Sequence, residues 1–327
     1  MEQRSFNRLG RTVGAVGLGA WQLGADWGTV SEADAMAVLA AAVDDGVTFL
    51  DTADVYGDGR SEELIGRFLR TRPDAGLTVA TKMGRRVEQR SEAYTLDNFR
   101  QWTDRSRANL GMDTLDLVQL HCPPTAVFSS DEVFDGLDTL VAEKAIAGYG
   151  VSVETCDQAL TAIARPGVAS VQIILNAVRH KPLERVLPAA AAAGVGIIAR
   201  VPLASGLLSG RYDEHTEFPA DDHRNYNRHG AAFDVGETFS GVDYERGLAA
   251  VRRLAPLVDP DRTMAQFALR WVLDQPGVTV VIPGARDAEQ ARRNAETAAL
   301  SPLTDGQLAA VREIYDELIR PQVHDRW

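Results

Sequence analysis

The sequence predicts a (β/α)8 barrel of the TIM type, with an N-terminal hairpin and an extra C-terminal helix. Three observations carry that expectation: short apolar runs recur eight times, segments of helical periodicity separate them, and ionisable residues end three successive runs. The runs are Val16 to Gly19, Val47 to Leu50, Leu77 to Thr81, Leu115 to Leu120, Gly148 to Ser152, Ser170 to Leu175, Val195 to Arg200 and Val278 to Ile282. A strand-helix unit repeated in this way implies parallel strands joined by right-handed crossovers, and eight such units close a barrel. A doubly wound open sheet is the competing layout. It is disfavoured because the first run ends Gly17-Leu18-Gly19-Ala20-Trp21, with no G-x-G-x-x-G to cradle a pyrophosphate.

Ahead of the first unit, Ser5 to Val13 holds a turn signal at Leu9-Gly10-Arg11, which predicts a small hairpin that plugs the N-terminal end of the barrel. The first helix carries Met36, Leu39 and Val43 on one face, and Ser31 is its cap with Asp34 three residues on. About eighty residues lie between the seventh and eighth runs. Within them Arg211 to Asp243 is rich in Asp, Gly, His and Asn, a length and composition expected of a lid or binding loop. After the eighth unit, Leu308, Val311, Tyr315, Leu318 and Ile319 mark an extra amphipathic helix against the barrel's side. No linker interrupts the pattern, so one domain is expected over residues 1–327.

Bulk properties narrow the function. A net charge of −12 argues against nucleic acid or an anionic membrane as partner, since both select clustered Lys and Arg. No apolar run approaches the roughly 18 residues that span a bilayer, and no apolar core follows Met1-Glu2-Gln3-Arg4-Ser5, so a cytoplasmic location is expected. Cys122 and Cys156 lack C-x-x-C spacing, which leaves buried thiols as the simpler account over zinc or a redox dithiol.

The chemistry is expected at the strand ends. Asp51 follows the second run, Lys82 closes the third and His121 closes the fourth, while Tyr56 sits five residues beyond Asp51 in Asp51-Thr52-Ala53-Asp54-Val55-Tyr56-Gly57. In a parallel barrel those ends share one face, so the four groups converge. A lysine beside a phenol favours the phenolate, which predicts a Tyr56 pKa drawn down from about 10 toward neutrality, with Asp51 keeping the lysine charged. His121 would orient a substrate carbonyl by hydrogen bonding. Taken singly, each residue is more simply a cap, an ion pair or a loop group; only the constellation is informative.

That constellation, with Thr81-Lys82 and Gln119-Leu120-His121-Cys122-Pro123, resembles the catalytic tetrad of the aldo-keto reductase superfamily, over roughly Leu9 to Leu300. The resemblance is to bacterial-type members, and it implies a barrel that binds NADPH and reduces an aldehyde or ketone. Tyr56 would be the acid, Lys82 its partner, Asp51 the lysine's counter-ion and His121 the orienting donor. Ser152 and Gln172 resemble the pair that holds the nicotinamide carboxamide. The family often has Asn where this chain has Val153, and an aromatic platform where this chain has Leu175, which is expected to pack on the ring instead. Pro202, Leu203, Ser205 and Leu207, running on to Arg211, resemble the pyrophosphate-side loop. Gly19 and Trp21, at the end of the first strand, belong to the same cofactor and substrate surface.

Gly284 and Arg286, followed by Gln290 and Asn294, open the last helix. The helix N-terminus is expected to meet an anion, Arg286 the 2′-phosphate of NADPH, and Gln290 and Asn294 the adenine. Asp221, Asp222, His223 and His229 could suggest a metal, but acidic loops are usually only solvated and the implied mechanism uses none. Two other readings share the barrel. One is a cofactor-sensing regulatory subunit with little turnover, against which His121 speaks; the other is a Schiff-base lyase using Lys82 as nucleophile.

Overall fold

A computed structural model describes residues 1–24 and 30–327. Eight parallel strands form the central sheet: β3 (Leu18–Gly19), β4 (Phe49–Asp51), β5 (Thr78–Met83), β6 (Leu117–His121), β7 (Tyr149–Ser152), β8 (Val168–Ile174), β9 (Gly196–Arg200) and β10 (Val278–Val281). Each pairs with its neighbours in sequence order, as right-handed β-α-β units require. The circle closes through parallel bridges Val16↔Val281 and Gly19↔Gly284, with Gly17 N–H donating to the Val281 carbonyl at 2.8 Å. Each of the eight apolar runs thus overlaps the strand it predicts or, for the first, also supplies the closing bridge.

The crossover helices are α1 (Glu32–Asp44), α2 (Arg60–Thr71), α3 (Leu96–Leu110), α4 (Asp131–Ala142), α5 (Cys156–Ile163) and α6 (Pro182–Ala193). A short α7 (His223–Tyr226) lies in the long loop, followed by α8 (Tyr244–Leu254), α9 (Met264–Leu273), α10 (Ala288–Glu296) and α11 (Asp305–Ile314). Side-chain caps fix where many of them start. Ser31 accepts from Asp34 N–H at 3.1 Å, and Thr155, Thr263 and Thr304 form full capping boxes with Gln158, Gln266 and Gln307. Each such cap stabilises its helix by about 1 kcal/mol. The predicted C-terminal helix is α11, which runs on through a π-turn at Tyr315–Ile319.

At the N-terminal end, β1 (Gln3–Phe6) and β2 (Arg11–Gly14) pair antiparallel as the predicted hairpin. Its Phe6 and Val13 enter the barrel and join Phe49, Ala80, Leu117, Ala169, Ile198, Val280 and Ile282 in an apolar interior. Phe6 stacks on Phe49 at 5.6 Å between ring centroids, and only glycine fits at position 196, where a Cβ would lie 2.2 Å from the Phe6 ring. The larger apolar cluster fills the layer between strands and helices. No described helix is long and apolar enough to cross a membrane.

Candidate active site

Asp51, Lys82 and His121 are the last or near-last residues of β4, β5 and β6, so the register of those parallel strands brings them to the C-terminal rim together. Lys82 is 1% exposed, and its ammonium donates to Asp51 Oδ1 at 2.5 Å, to the Thr52 carbonyl at 2.8 Å and to the Tyr56 hydroxyl at 3.3 Å. The turn that carries Tyr56 needs glycine after it: Gly57 has φ of 60°, and a Cβ there would sit 2.1 Å from the Gly24 carbonyl oxygen. The Tyr56 ring meets His121 edge-on at 5.9 Å and stacks against Trp21 at 6.0 Å. All four predicted groups therefore gather at one place.

Their electrostatics differ from the sequence expectation in one respect. The Tyr56 phenol is pushed up from its ordinary value, not down: burial disfavours the phenolate, and Asp51 and Glu237 add to that, while Lys82 opposes them without prevailing. Burial likewise disfavours the charge on Lys82, but attraction to Asp51 and Tyr56 outweighs it and raises that pKa. Phenol and ammonium thus both hold their protons. The desolvation of Tyr56, set by packing across the rim, is what the local sequence did not reveal. His121 is held well below the ordinary imidazole range by burial and by the nearby cations Arg85, Lys82 and Arg200, so it is a neutral ring. Its Nδ1 is buried without a hydrogen-bond partner among the described residues.

A cavity of about 1170 Å³ opens above these groups. It runs from Trp21, Tyr56 and His121 past Ser152 and Gln172 to Gly284, Arg286, Gln290 and Asn294. Gly19, Pro202, Leu203, Ser205 and Arg211 line it as well. Leu207 does not: it is 1% exposed and packs into the core, where its Cδ2 approaches α8 at Gly247. Leu175 is also fully buried and is not on the cavity wall, so it cannot supply the apolar platform expected of it.

The two cofactor loops are more self-satisfied than their sequences imply. In the turn after β9, Ala204, Ser205 and Gly206 have φ of 46°, 56° and 88°, but the N–H groups of Gly206 and Leu208 both donate to the Leu203 carbonyl. The α10 N-terminus is capped by Asp287, whose carboxylate accepts from Gln290 N–H at 2.8 Å, so an anion would meet the Arg286 side chain rather than open helix amides. Gln290 and Asn294 brace the same turn, Gln290 accepting from Arg286 N–H at 2.9 Å and Asn294 donating to the Gly284 carbonyl at 3.2 Å. Arg286 itself lies 3.9 Å from Asp222 of the long loop. Asp222 is further occupied by Arg224 Nε at 2.8 Å, and His223 meets Ser205 Oγ at 3.3 Å, so these loop residues tie the loop to its base.

Arg200, Glu237, Glu154, Arg85 and Asp54 are functional candidates that escaped the sequence reading. Arg200 ends β9 as His121 ends β6, and that position was the available signal. It is buried and pairs with Glu237 of the long loop and, at 3.3 Å, with Glu154, while Arg85 pairs with Glu154 at 3.2 Å and donates to the His121 carbonyl at 3.0 Å. Cys122, Glu154 and Glu237 approach one another closely enough to hold a cation, and the cation among them is the Arg200 guanidinium. Asp54 stands apart from that cluster: it is fully buried, both oxygens are without a partner among the described residues, and its pKa is pushed up to about 7 by burial and by Glu62.

Residues 15–316 match the model of the aldo/keto reductase family. The chain belongs to that family. It is 28% identical over 316 residues to the uncharacterized oxidoreductase YqkF of Bacillus subtilis, covering 95% of this chain and 96% of that protein. It is 31% identical over 320 residues to D-threo-aldose 1-dehydrogenase of a Pseudomonas species, covering 89% and 91%. Among solved structures, the glycerol dehydrogenase of Gluconobacter oxydans superposes with a TM-score of 0.79 at 28% identity, over 99% of this chain and 97% of that one. As an aldo/keto reductase fold, the chain has its rim residues in the setting where barrels of this kind carry out their chemistry.

Proposed function

We propose that this aldo/keto reductase is an NADPH-dependent enzyme that reduces a small aldehyde or ketone to the alcohol. The observation that carries the reading is the Asp51–Lys82–Tyr56 chain of hydrogen bonds beneath the cavity floor, with neutral His121 beside it. The cavity suits a dinucleotide: its volume of about 1170 Å³ exceeds that of most single small-ligand sites, roughly 300–1,000 Å³. Ser152 and Gln172 would hold the carboxamide end, and Arg286, always charged and able to bind two oxygens at once, the 2′-phosphate. NADPH, when bound, supplies a hydride for the carbonyl carbon.

The protein's own part is to position and to donate a proton. Tyr56 remains protonated because burial disfavours its phenolate, and it gives its proton to the carbonyl oxygen as that oxygen gains charge. The Lys82 ammonium, fixed by Asp51, then stabilises the phenolate left behind. His121, neutral, hydrogen-bonds the same oxygen without competing for the proton. Trp21, Phe233 and the aliphatic wall exclude water, while Arg85 and Glu237 offer polar contacts near the substrate end. That lining suits a hydroxylated carbonyl compound, in keeping with the aldose and the polyol for which two of the similar proteins are named. A cofactor-sensing subunit would not need this intact acid and its charged support. A cytoplasmic setting, where NADPH is plentiful, fits the reading.

The test is fluorescence titration with NADPH followed by assay against a panel of hydroxylated and apolar carbonyls. Binding with oxidation of NADPH is expected. Binding without turnover on any substrate would favour the regulatory subunit, and a lysine adduct after borohydride treatment would favour the lyase.

A further inference from the structure

Gln119 is fully buried on β6, two residues before His121, and its side chain reaches across the barrel to Asp51. Gln119 Nε2 donates to Asp51 Oδ2 at 3.2 Å; Gln172 Nε2 donates to the same oxygen at 2.7 Å and to Gln119 Oε1 at 3.3 Å. The amide orientations follow from chemistry. Asp51 is bound to the Lys82 ammonium, so it offers only acceptor oxygens, and both glutamines must turn their NH2 groups toward it.

A consequence follows for Gln172. Its two N–H donors are both used inside the barrel, one on Asp51 and one on Gln119, so only its carbonyl oxygen remains for the cavity it lines. Ser152 is the complement. The Cys122 thiol, kept protonated with its pKa pushed up to about 12 by burial, donates to Ser152 Oγ at 3.4 Å and leaves the serine O–H free to donate. The pair is therefore polarised, with an acceptor on β8 and a donor on β7.

We infer that Gln119 is a positioning residue that locks Gln172 as a pure acceptor, so that the site demands a carboxamide NH2 from its cofactor and ties that contact to the Asp51–Lys82 pair. The inference rests on the NADPH reading above and adds a residue that touches neither cofactor nor substrate. Gln119 completes a circuit in which each buried polar group is satisfied by the next, an arrangement with a single low-energy orientation. Without Gln119, the Gln172 amide can rotate, and Asp51 loses one charge-assisted donor. An Asp51 with fewer donors holds the Lys82 proton more tightly. Lys82 stays charged, but the less neutralised Asp51 carboxylate offsets more of its field at Tyr56, and the phenol stays protonated to higher pH.

The experiment compares binding of NADPH and its 3-acetylpyridine analogue, in which a methyl group replaces the carboxamide NH2. Equilibrium fluorescence titration is run on the full chain, Gln119→Met and Gln119→Glu. Wild type is expected to bind the analogue roughly ten-fold more weakly, the effect of one unmade hydrogen bond at a buried acceptor. In Gln119→Met the ratio falls to about two-fold, because the freed amide can present either end. Gln119→Glu is isosteric, and its protonated form both donates to Asp51 and accepts from Gln172, so it retains the wild-type ratio at low pH. The alkaline limb of the reduction rate also moves to higher pH in Gln119→Met. NADPH binding with the same analogue ratio in wild type and Gln119→Met overturns the relay alone. No NADPH binding by wild type overturns the relay and the reductase reading together.

Discussion

The two ends of this barrel are built on opposite principles. At the N-terminal end the hairpin drives Phe6 and Val13 into an apolar interior completed by seven further side chains, and its polar groups are satisfied at the edge, as where Arg11 pairs with Asp116. At the C-terminal end the same strands finish at or next to Asp51, Lys82, His121, Ser152 and Arg200, all buried, and the rim also holds polar atoms at Asp54 and His121 that have no partner among the described residues. One end lowers the free energy of the fold. The other holds charge out of water at a cost of several kcal/mol per ion, a cost that pairing offsets only in part. The difference teaches where stability and activity are separable, and substitutions at each end should divide accordingly.

The largest effect on stability is expected at the closed end. Phe6→Ala removes a ring that is fully buried and stacked on Phe49, and should cost about 3–5 kcal/mol, read as a fall in the urea midpoint. NADPH affinity at a permissive temperature should be unchanged. Loss of affinity equal to the loss of stability would mean that the ends are coupled rather than independent.

At the open end, Asp54→Asn should stabilise. The Asp54 pKa is raised from 3.8 to about 7, so the folded state binds a proton that the unfolded chain has released. That contribution is complete below pH 3.8 and is lost as pH rises to about 7, beyond which it stays lost. Asparagine avoids the buried charge. Its advantage in stability, read as a melting-temperature difference, should be small at pH 4, grow through pH 5 and 6, and level off above 7 at a few kcal/mol at most. A difference that does not change with pH would show that Asp54 is not the titrating group.

The smallest effect lies farthest from the acid. Arg286→Ala should weaken NADPH binding about ten-fold while leaving NADH binding and the maximal rate nearly alone, because a half-exposed guanidinium contributes on the order of 1.4 kcal/mol to a phosphate. Equal weakening of both cofactors would assign Arg286 to holding the loop through Asp222 instead.

The contrast between the ends also explains what could be read in the sequence. Strands buried on both faces leave continuous apolar runs, and a lysine or histidine that ends such a run stands out, so the barrel and the four rim groups were legible. Partners distant in sequence were not. Glu237 lies in the long loop, 37 residues beyond the Arg200 that it pairs with, and no local pattern joins them. Gln290 and Asn294 are spaced to share a helix face, but local hydrogen bonds to Arg286 N–H and the Gly284 carbonyl engage them first. The direction of the Tyr56 shift needed the burial supplied by packing across the rim, which neighbouring residues do not encode.

The central claim is that Tyr56, supported by Lys82, supplies the proton at the rim. Tyr56→Phe removes one oxygen from that chain and leaves the ring stacked on Trp21, so NADPH affinity should stay within about two-fold of wild type. Measured in single turnover with saturating NADPH, carbonyl reduction should fall by about 10²- to 10⁴-fold. A variant that keeps most of its reduction rate, or that loses cofactor affinity as steeply as it loses rate, would contradict the account.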